Sequence, residues 1–165
     1  MKQQFNSFWD DSDEFVNPIR VTDEMIAKVE QTLSYKLPES YITLIKTQNG
    51  GTPLRTCFST TVPTSWADNH IAIVGIYGIG GEHGIDTESP YLIEEFDYPR
   101  VGIIVCESPT AGHDAVMLDY SKCGNQGEPI VIHVNVENYE DPIITFLAKD
   151  FQTFINGLVD DSDFD

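Results

Sequence analysis

Positive charge is scarce in this chain. Nine Lys and Arg side chains stand against 27 Asp and Glu, which gives a formal net charge of -18 at pH 7 and a pI near 4.2. A nucleic-acid binder needs a basic footprint to displace counterions from phosphate, so that class is excluded. Charge-driven docking on anionic lipid is disfavoured for the same reason. Cysteine is also sparse. Cys57, Cys106 and Cys123 are odd in number and form no Cys-x-x-Cys pair, which fits neither a disulfide framework nor a zinc knuckle. Nowhere do ~18 apolar residues run together as a membrane helix requires. The opening Met1–Asp11 has no apolar run of signal-peptide length. These absences predict a cytoplasmic protein.

What is present suffices for a core. Hydrophobic residues make up 41% of the chain and aromatics 11%, above the range of disordered chains. The length predicts one domain over residues 1–165, with its core at about 20–159 and acidic ends that wrap or fray. Thr22 is placed to cap a helix with Asp23 and Glu24 in its first turn, and Met25, Ile26, Val29 and Leu33 share one face. Pro38 opens a second helix carrying Tyr41, Ile42, Leu44 and Ile45, and Asn49-Gly50-Gly51 closes it by accepting left-handed backbone. Ile71–Tyr77 reads as one strand, Gly78–Gly84 as a flexible surface loop and Ser89–Phe96 as a short helix. Val101–Cys106, Ala115–Asp119 and Ile130–Val136 read as strands of an antiparallel meander. A final helix is expected to align Leu147, Phe151, Phe154, Ile155 and Leu158. The fold class is therefore α+β, with helices packed on one face of a mainly antiparallel sheet.

The candidate chemistry is thin. The Gly-rich stretch Gly75–Gly84 follows a strand, but Ile85 and Asp86 occupy the positions where a phosphate loop carries Lys and Ser or Thr. A dinucleotide fingerprint counted from Gly78 and Gly80 requires glycine where His83 stands. No two of His70, His83, His113 and His133 have the i, i+4 spacing of a helical zinc site. His83 with Asp86, or His113 with Asp114, supplies at most two ligands, and Asp114 and Asp119 fall on opposite faces of a strand. A metal-dependent hydrolase built on His83, Asp86, His113 and Asp114 is thus the weakest of the functional alternatives. His133, on an alternating strand, reads as a satisfied and partly exposed side chain. There is no Gly-x-Ser-x-Gly elbow, and Cys57 has no adjacent base. We expect no catalytic residue, no metal and no cofactor.

Charge clustering is the informative feature. Between Glu82 and Pro99 lie Glu82, Asp86, Glu88, Glu94, Glu95 and Asp97 with no Lys or Arg, interleaved with Tyr91, Phe96 and Tyr98. Acids steer a basic protein into contact, and an aromatic anchor supplies affinity. The expected partner-binding residues are Glu82, Asp86, Glu88, Tyr91, Glu94, Glu95 and Asp97, with Trp66 as a further anchor from the neighbouring loop. The competing reading is a solvated face whose aromatics point inward.

Thr22-Asp23-Glu24-Met25-Ile26, Leu37-Pro38-Glu39-Ser40-Tyr41, Leu44-Ile45 and Asn49-Gly50-Gly51 together resemble the opening signature of the SUKH superfamily, which includes fungal cell-wall assembly regulators and bacterial immunity proteins. Val101–Cys106, the Gly112-His113-Asp114 turn and the closing helix with Phe151 and Phe154 are similar to later parts of it. The resemblance implies an α+β domain without catalysis that binds a protein: a cognate, basic polymorphic toxin that it neutralises, or, as in the fungal members, endogenous partners for which it acts as a regulatory scaffold. Partners differ across the superfamily, so it transfers no binding residues. The oligomeric state is not legible.

Overall fold

Thr22 starts the first helix as its chemistry requires. Its Oγ1 accepts the Met25 amide at 3.2 Å, and Asp23 and Glu24 sit in the positive first turn of α1 (Asp23–Leu33). Ser34 ends α1 in the left-handed region, and the Glu30 carboxylate accepts the Leu37 amide at 2.8 Å. This fixes the short connection to α2 (Glu39–Thr47), for which Pro38 is the N-cap. Tyr41, Leu44 and Ile45 are fully buried on α2. The computed structural model describes residues 8–64, 66–137 and 141–164; the expected fraying of residues 1–7 and Asp165 lies outside them.

Seven strands form two antiparallel sheets among these residues. β1 (Cys57–Ser59) and β2 (His70–Ala72) pair alone. β3 (Gly75–Ile76), β4 (Gly102–Glu107), β5 (Asp114–Asp119), β6 (Ile130–Asn135) and β7 (Ile143–Ala148) form a five-stranded meander in sequence order. Helix α3 (Ile85–Phe96) lies between β3 and β4 in sequence, and α4 (Phe151–Asn156) follows β7. The class is α+β, as expected. Consecutive residues along β4 and β5 are buried, which in a strand means that both faces of the sheet centre are covered. Phe151 and Phe154 of α4 are fully buried, and Phe151 meets Tyr41 edge-on at 5.5 Å between ring centroids. No helix among the described residues is long and apolar enough to cross a membrane.

The structure corrects several expectations. Ile71–Tyr77 is not one strand. The chain leaves β2 after Ala72, and Val74 donates to Glu107 of β4 at 2.8 Å, so the apolar run serves two sheets. Gly78–Gly84 is not a free loop: Gly78 bridges Gly84, and Ile79 is fully buried. Its anchor is Asn49, whose Oδ1 accepts the Ile79 amide at 2.8 Å and whose Nδ2 donates to the Ile79 and Ile19 carbonyls at 3.0 and 2.9 Å. Asn49 is therefore a buried polar hub, and the left-handed residue is Gly50, at φ 85°. A Cβ on Gly78 would stand 2.1 Å from Asn49 Oδ1, so only glycine admits this contact. Leu147 belongs to β7, not to the last helix. The acidic ends are held: Phe15 is buried in the core, and Phe164, in a 3-10 turn at Asp161–Phe164, stacks on His70 at 3.9 Å.

Candidate partner-binding surface

Helix α3 carries most of the acids singled out in the sequence. It begins four residues before Ser89, where the sequence placed its start, so that Pro90 lies inside the helix. Ile85, Ser89, Leu92 and Ile93 face the interior. Ser89 Oγ accepts the Ile104 amide at 2.9 Å, beside the irregularity where β4 slips its register on β5 between Ile104 and Cys106. This bond fixes the helix on the sheet.

The opposite side of α3 is acidic. Glu94, Glu95 and Asp97 are exposed and Glu88 is half-buried. Glu88, Tyr91 and Glu95 follow i, i+3, i+7 spacing and so form one stripe. Tyr91 is 54% exposed, which leaves its ring available as an anchor. Tyr98 is not: it is buried, and its hydroxyl donates to the Gly112 carbonyl at 2.7 Å. Phe96 is half-buried with its ring edge-on to His113. Asp97 takes the left-handed conformation that ends α3. Asp86 is partly spent on structure, since its Oδ1 accepts the Gly80 amide at 2.8 Å. Glu82 is exposed in the preceding turn. Arg100 reaches Glu94 at 3.5 Å, but both side chains are mostly solvent-exposed, and such a pair is weak.

A cavity of about 250 Å³ opens beside the stripe, lined by Tyr77, Glu88, Tyr91, Phe96, Glu107 and Ala115 among others. The Tyr77 hydroxyl donates to Glu107 Oε1 at 2.9 Å. Burial raises the Glu88 carboxyl above its ordinary value, and the Glu107 charge raises it further. The pocket thus holds carboxylates in excess of cations, an environment that favours an incoming ammonium or guanidinium.

Trp66 does not join this surface. It lines a separate cleft of about 600 Å³ with Asp10, Glu14, His70, Asp161 and Phe164, and none of the α3 acids lines that cleft. Sequence reasoning missed this assembly because it left the two acidic ends to wrap or fray, with no partner named for either. Phe15 and Phe164, apolar residues inside otherwise acidic segments, were the signal that both ends are tied down.

The titratable residues weighed for metal chemistry are dispersed or already engaged. His83 packs on Phe15 at 4.9 Å. Asp114 is buried, and its Oδ2 lies 2.6 Å from His133 Nε2 while its Oδ1 accepts from Thr110. His133 is 1% exposed, contrary to the partly exposed position its strand pattern implied, because both faces of β6 are covered. Register explains the pairing. Asp114 lies opposite Asn135 and Val116 opposite His133, so Asp114 and His133 are diagonal neighbours on one face. Among the described residues no group of three or more His, Cys, Asp or Glu side chains is arranged to hold a metal ion.

No curated protein matches this sequence. The SUKH profile described as SMI1-KNR4 cell-wall matches residues 23–155, from the first residue of α1 into α4, and the chain belongs to that family.

Proposed function

We propose that this protein acts by binding another protein, without catalysis, and that its partner is a basic toxin which it neutralises in the cytoplasm. Membership of the family supports an immunity or cell-wall-regulatory role in general. The observation that favours a basic partner is the α3 stripe: an exposed Tyr91 set among Glu88, Glu94 and Glu95, beside a carboxylate-lined cavity. Acids on such a surface accelerate encounter with a cationic protein, and they compete with phosphate for a toxin that acts on nucleic acid. Glu82, Glu88, Tyr91, Glu94, Glu95 and Asp97 form the binding set, with Asp86 holding the loop behind them. The Trp66 cleft is a second acidic surface outside this set.

The test pairs the protein with the product of the adjacent gene. Glu94→Lys/Glu95→Lys/Asp97→Lys should slow association by about tenfold or more at low salt, flatten its salt dependence and weaken growth protection. Unchanged association at low salt would remove the site from α3. The cell-wall description of the family favours a second reading, a regulatory scaffold for endogenous proteins. Co-purification from the native host separates the two, because a stable partner that is not a toxin supports the scaffold.

A further inference from the structure

The small sheet has an open edge, and the Trp66 cleft lies against it. β2 pairs with β1 on one side only. Two bonds at the ends of that ladder fix its phase: the Thr60 amide donates to the Asn69 carbonyl and the Ile73 amide to the Thr56 carbonyl, both at 2.8 Å. Bonded and non-bonded positions alternate in an antiparallel pair. Ala72, opposite Cys57, is therefore non-bonded, and its N–H and C=O point away from β1. Cys57 agrees with this phase. It turns its own amide and carbonyl the other way, where they bond Val159 at 3.0 and 2.8 Å.

The neighbours of Ala72 along this outer edge are engaged. The His70 carbonyl accepts from Thr64 Oγ1 at 2.9 Å, and the Val74 amide donates to the Glu107 carbonyl at 2.8 Å. Between them the Ala72 amide and carbonyl find no partner among the described residues, although Ala72 is only 8% exposed. Buried backbone groups are nearly always paired, and an added strand supplies a donor and an acceptor together.

The surroundings say what such a strand carries. Ala72 lines the cleft of about 600 Å³ together with Trp66, Asp10, Glu14 and Asp161, and no Lys or Arg is among its lining residues. Trp66 is held ready, since its amide donates at 3.1 Å to the same Thr64 hydroxyl that donates to His70. A fixed aromatic ring and an uncompensated negative field suit a cationic side chain with an alkyl stem. Side chains alternate along a strand, so one face of an extended segment can direct its cations at these acids.

We propose that this cleft binds an extended, Lys- or Arg-bearing segment of a partner protein, which adds to β2 by pairing its backbone with Ala72. This goes beyond the α3 reading and does not depend on it, because none of the α3 acids lines the cleft.

The test is an amide NMR titration of the isotope-labelled full chain at ~0.15 M salt. The probe is a capped heptapeptide that alternates lysine and valine, added to about 5 mM. The Ala72 amide and the Trp66 indole signals should shift together, and exchange of the Ala72 amide with water should slow several-fold. The same peptide N-methylated at every residue keeps its side chains and charges but has no backbone donor, and should bind about tenfold more weakly or not at all. Trp66→Ala and Glu14→Lys/Asp161→Lys, all at exposed positions, should each weaken the unmodified peptide by about tenfold. Glu94→Lys/Glu95→Lys/Asp97→Lys should leave the Ala72 response unchanged, so this site and the α3 surface stand or fall separately. No shift at Ala72, an N-methylated peptide that binds as tightly, or a Trp66→Ala protein that binds as the parent does overturns the inference.

Discussion

Replacing Asn49 with Ala should be among the most damaging single changes outside the hydrophobic core, and its cost can be worked bond by bond. The side chain is 3% exposed and makes three hydrogen bonds. Two of the three groups it serves survive its loss. The Ile79 carbonyl keeps Asn17 Nδ2 at 3.2 Å, and the Ile19 carbonyl belongs to a residue that is 63% exposed, so water replaces the amide there. The Ile79 amide loses its acceptor inside the protein, at a residue with no exposed surface. A buried donor left without a partner costs about 1–3 kcal/mol, and the two weaker exchanges add about 0.5–1 kcal/mol each. The expected loss is therefore ~2–5 kcal/mol, a large part of the ~5–15 kcal/mol that holds a domain of this size. It corresponds to a melting-temperature drop of roughly 4–20 °C at ~2–4 °C per kcal/mol. Urea unfolding should show a lower midpoint with an unchanged slope. The Ile79 amide should exchange more than tenfold faster, and partner binding through α3 should weaken, because Ile85 at the start of α3 donates to the Gly78 carbonyl of the released loop. Gln48→Ala removes one bond at a half-buried neighbour and should cost less than about 1 kcal/mol. If Asn49→Ala loses under ~1 kcal/mol and Ile79 protection is unchanged, the side chain does not pin the loop.

Two further outcomes follow from the buried and half-buried acids. Glu88 has its carboxyl raised above the ordinary value of 4.5, so the folded state takes up its proton more readily than the unfolded state, and stability falls as pH rises through that window. Glu88→Gln should have a higher urea midpoint than the parent at pH 7, and the difference should vanish below about pH 4; a variant less stable than the parent at pH 7 contradicts the sign. Asp114→Ala strands the buried His133 and frees the half-buried Thr110, and should lower stability by about 2–4 kcal/mol, while Glu95→Ala on the exposed stripe should stay within ~0.5 kcal/mol in the same assay.

The parts of the fold legible in the sequence are those where local chemistry and burial agree. Thr22 has one natural use before Asp23-Glu24 and an apolar face, and β4 to β6 are apolar runs punctuated by turns. The misread parts are those where tertiary contacts override the local signal. β7 was absorbed into a helical pattern because Leu147, Phe151 and Phe154 happen to keep helical spacing. The β-branched pair Ile143-Ile144 and the capping Asp150, whose Oδ1 accepts the Thr153 amide at 2.8 Å, mark the true boundary. The start of α3 was hidden because Pro90 reads as a first-turn residue, which set the expected helix at Ser89 rather than at Ile85. Asn49 was assigned to a helix cap because its local alternatives are all turn conformations, whereas its partner Ile79 is thirty residues away. Of the candidate site, the acid-only character of α3 followed from the sequence, which left open whether its aromatics point outward or inward. The separation of Trp66 from that helix, and the burial of Tyr98, depend on packing that no residue spacing encodes.

On the proposed reading, the charge of the chain gathers around its aromatic anchors. The acids of α3 surround one exposed ring, and Asp10, Glu14 and Asp161 surround Trp66 in the other cleft, so each aromatic anchor stands inside a negative field. Long-range attraction of a cation and short-range burial of an aromatic ring are then provided at the same place, as a fast and specific encounter requires. Adding salt should consequently slow association with a basic partner, because it screens the attraction at both rings. Measured from ~0.05 to ~0.5 M salt, the association rate should fall steeply while the dissociation rate changes little. An association rate indifferent to salt over this range would show that the acids around Tyr91 and Trp66 do not steer the partner.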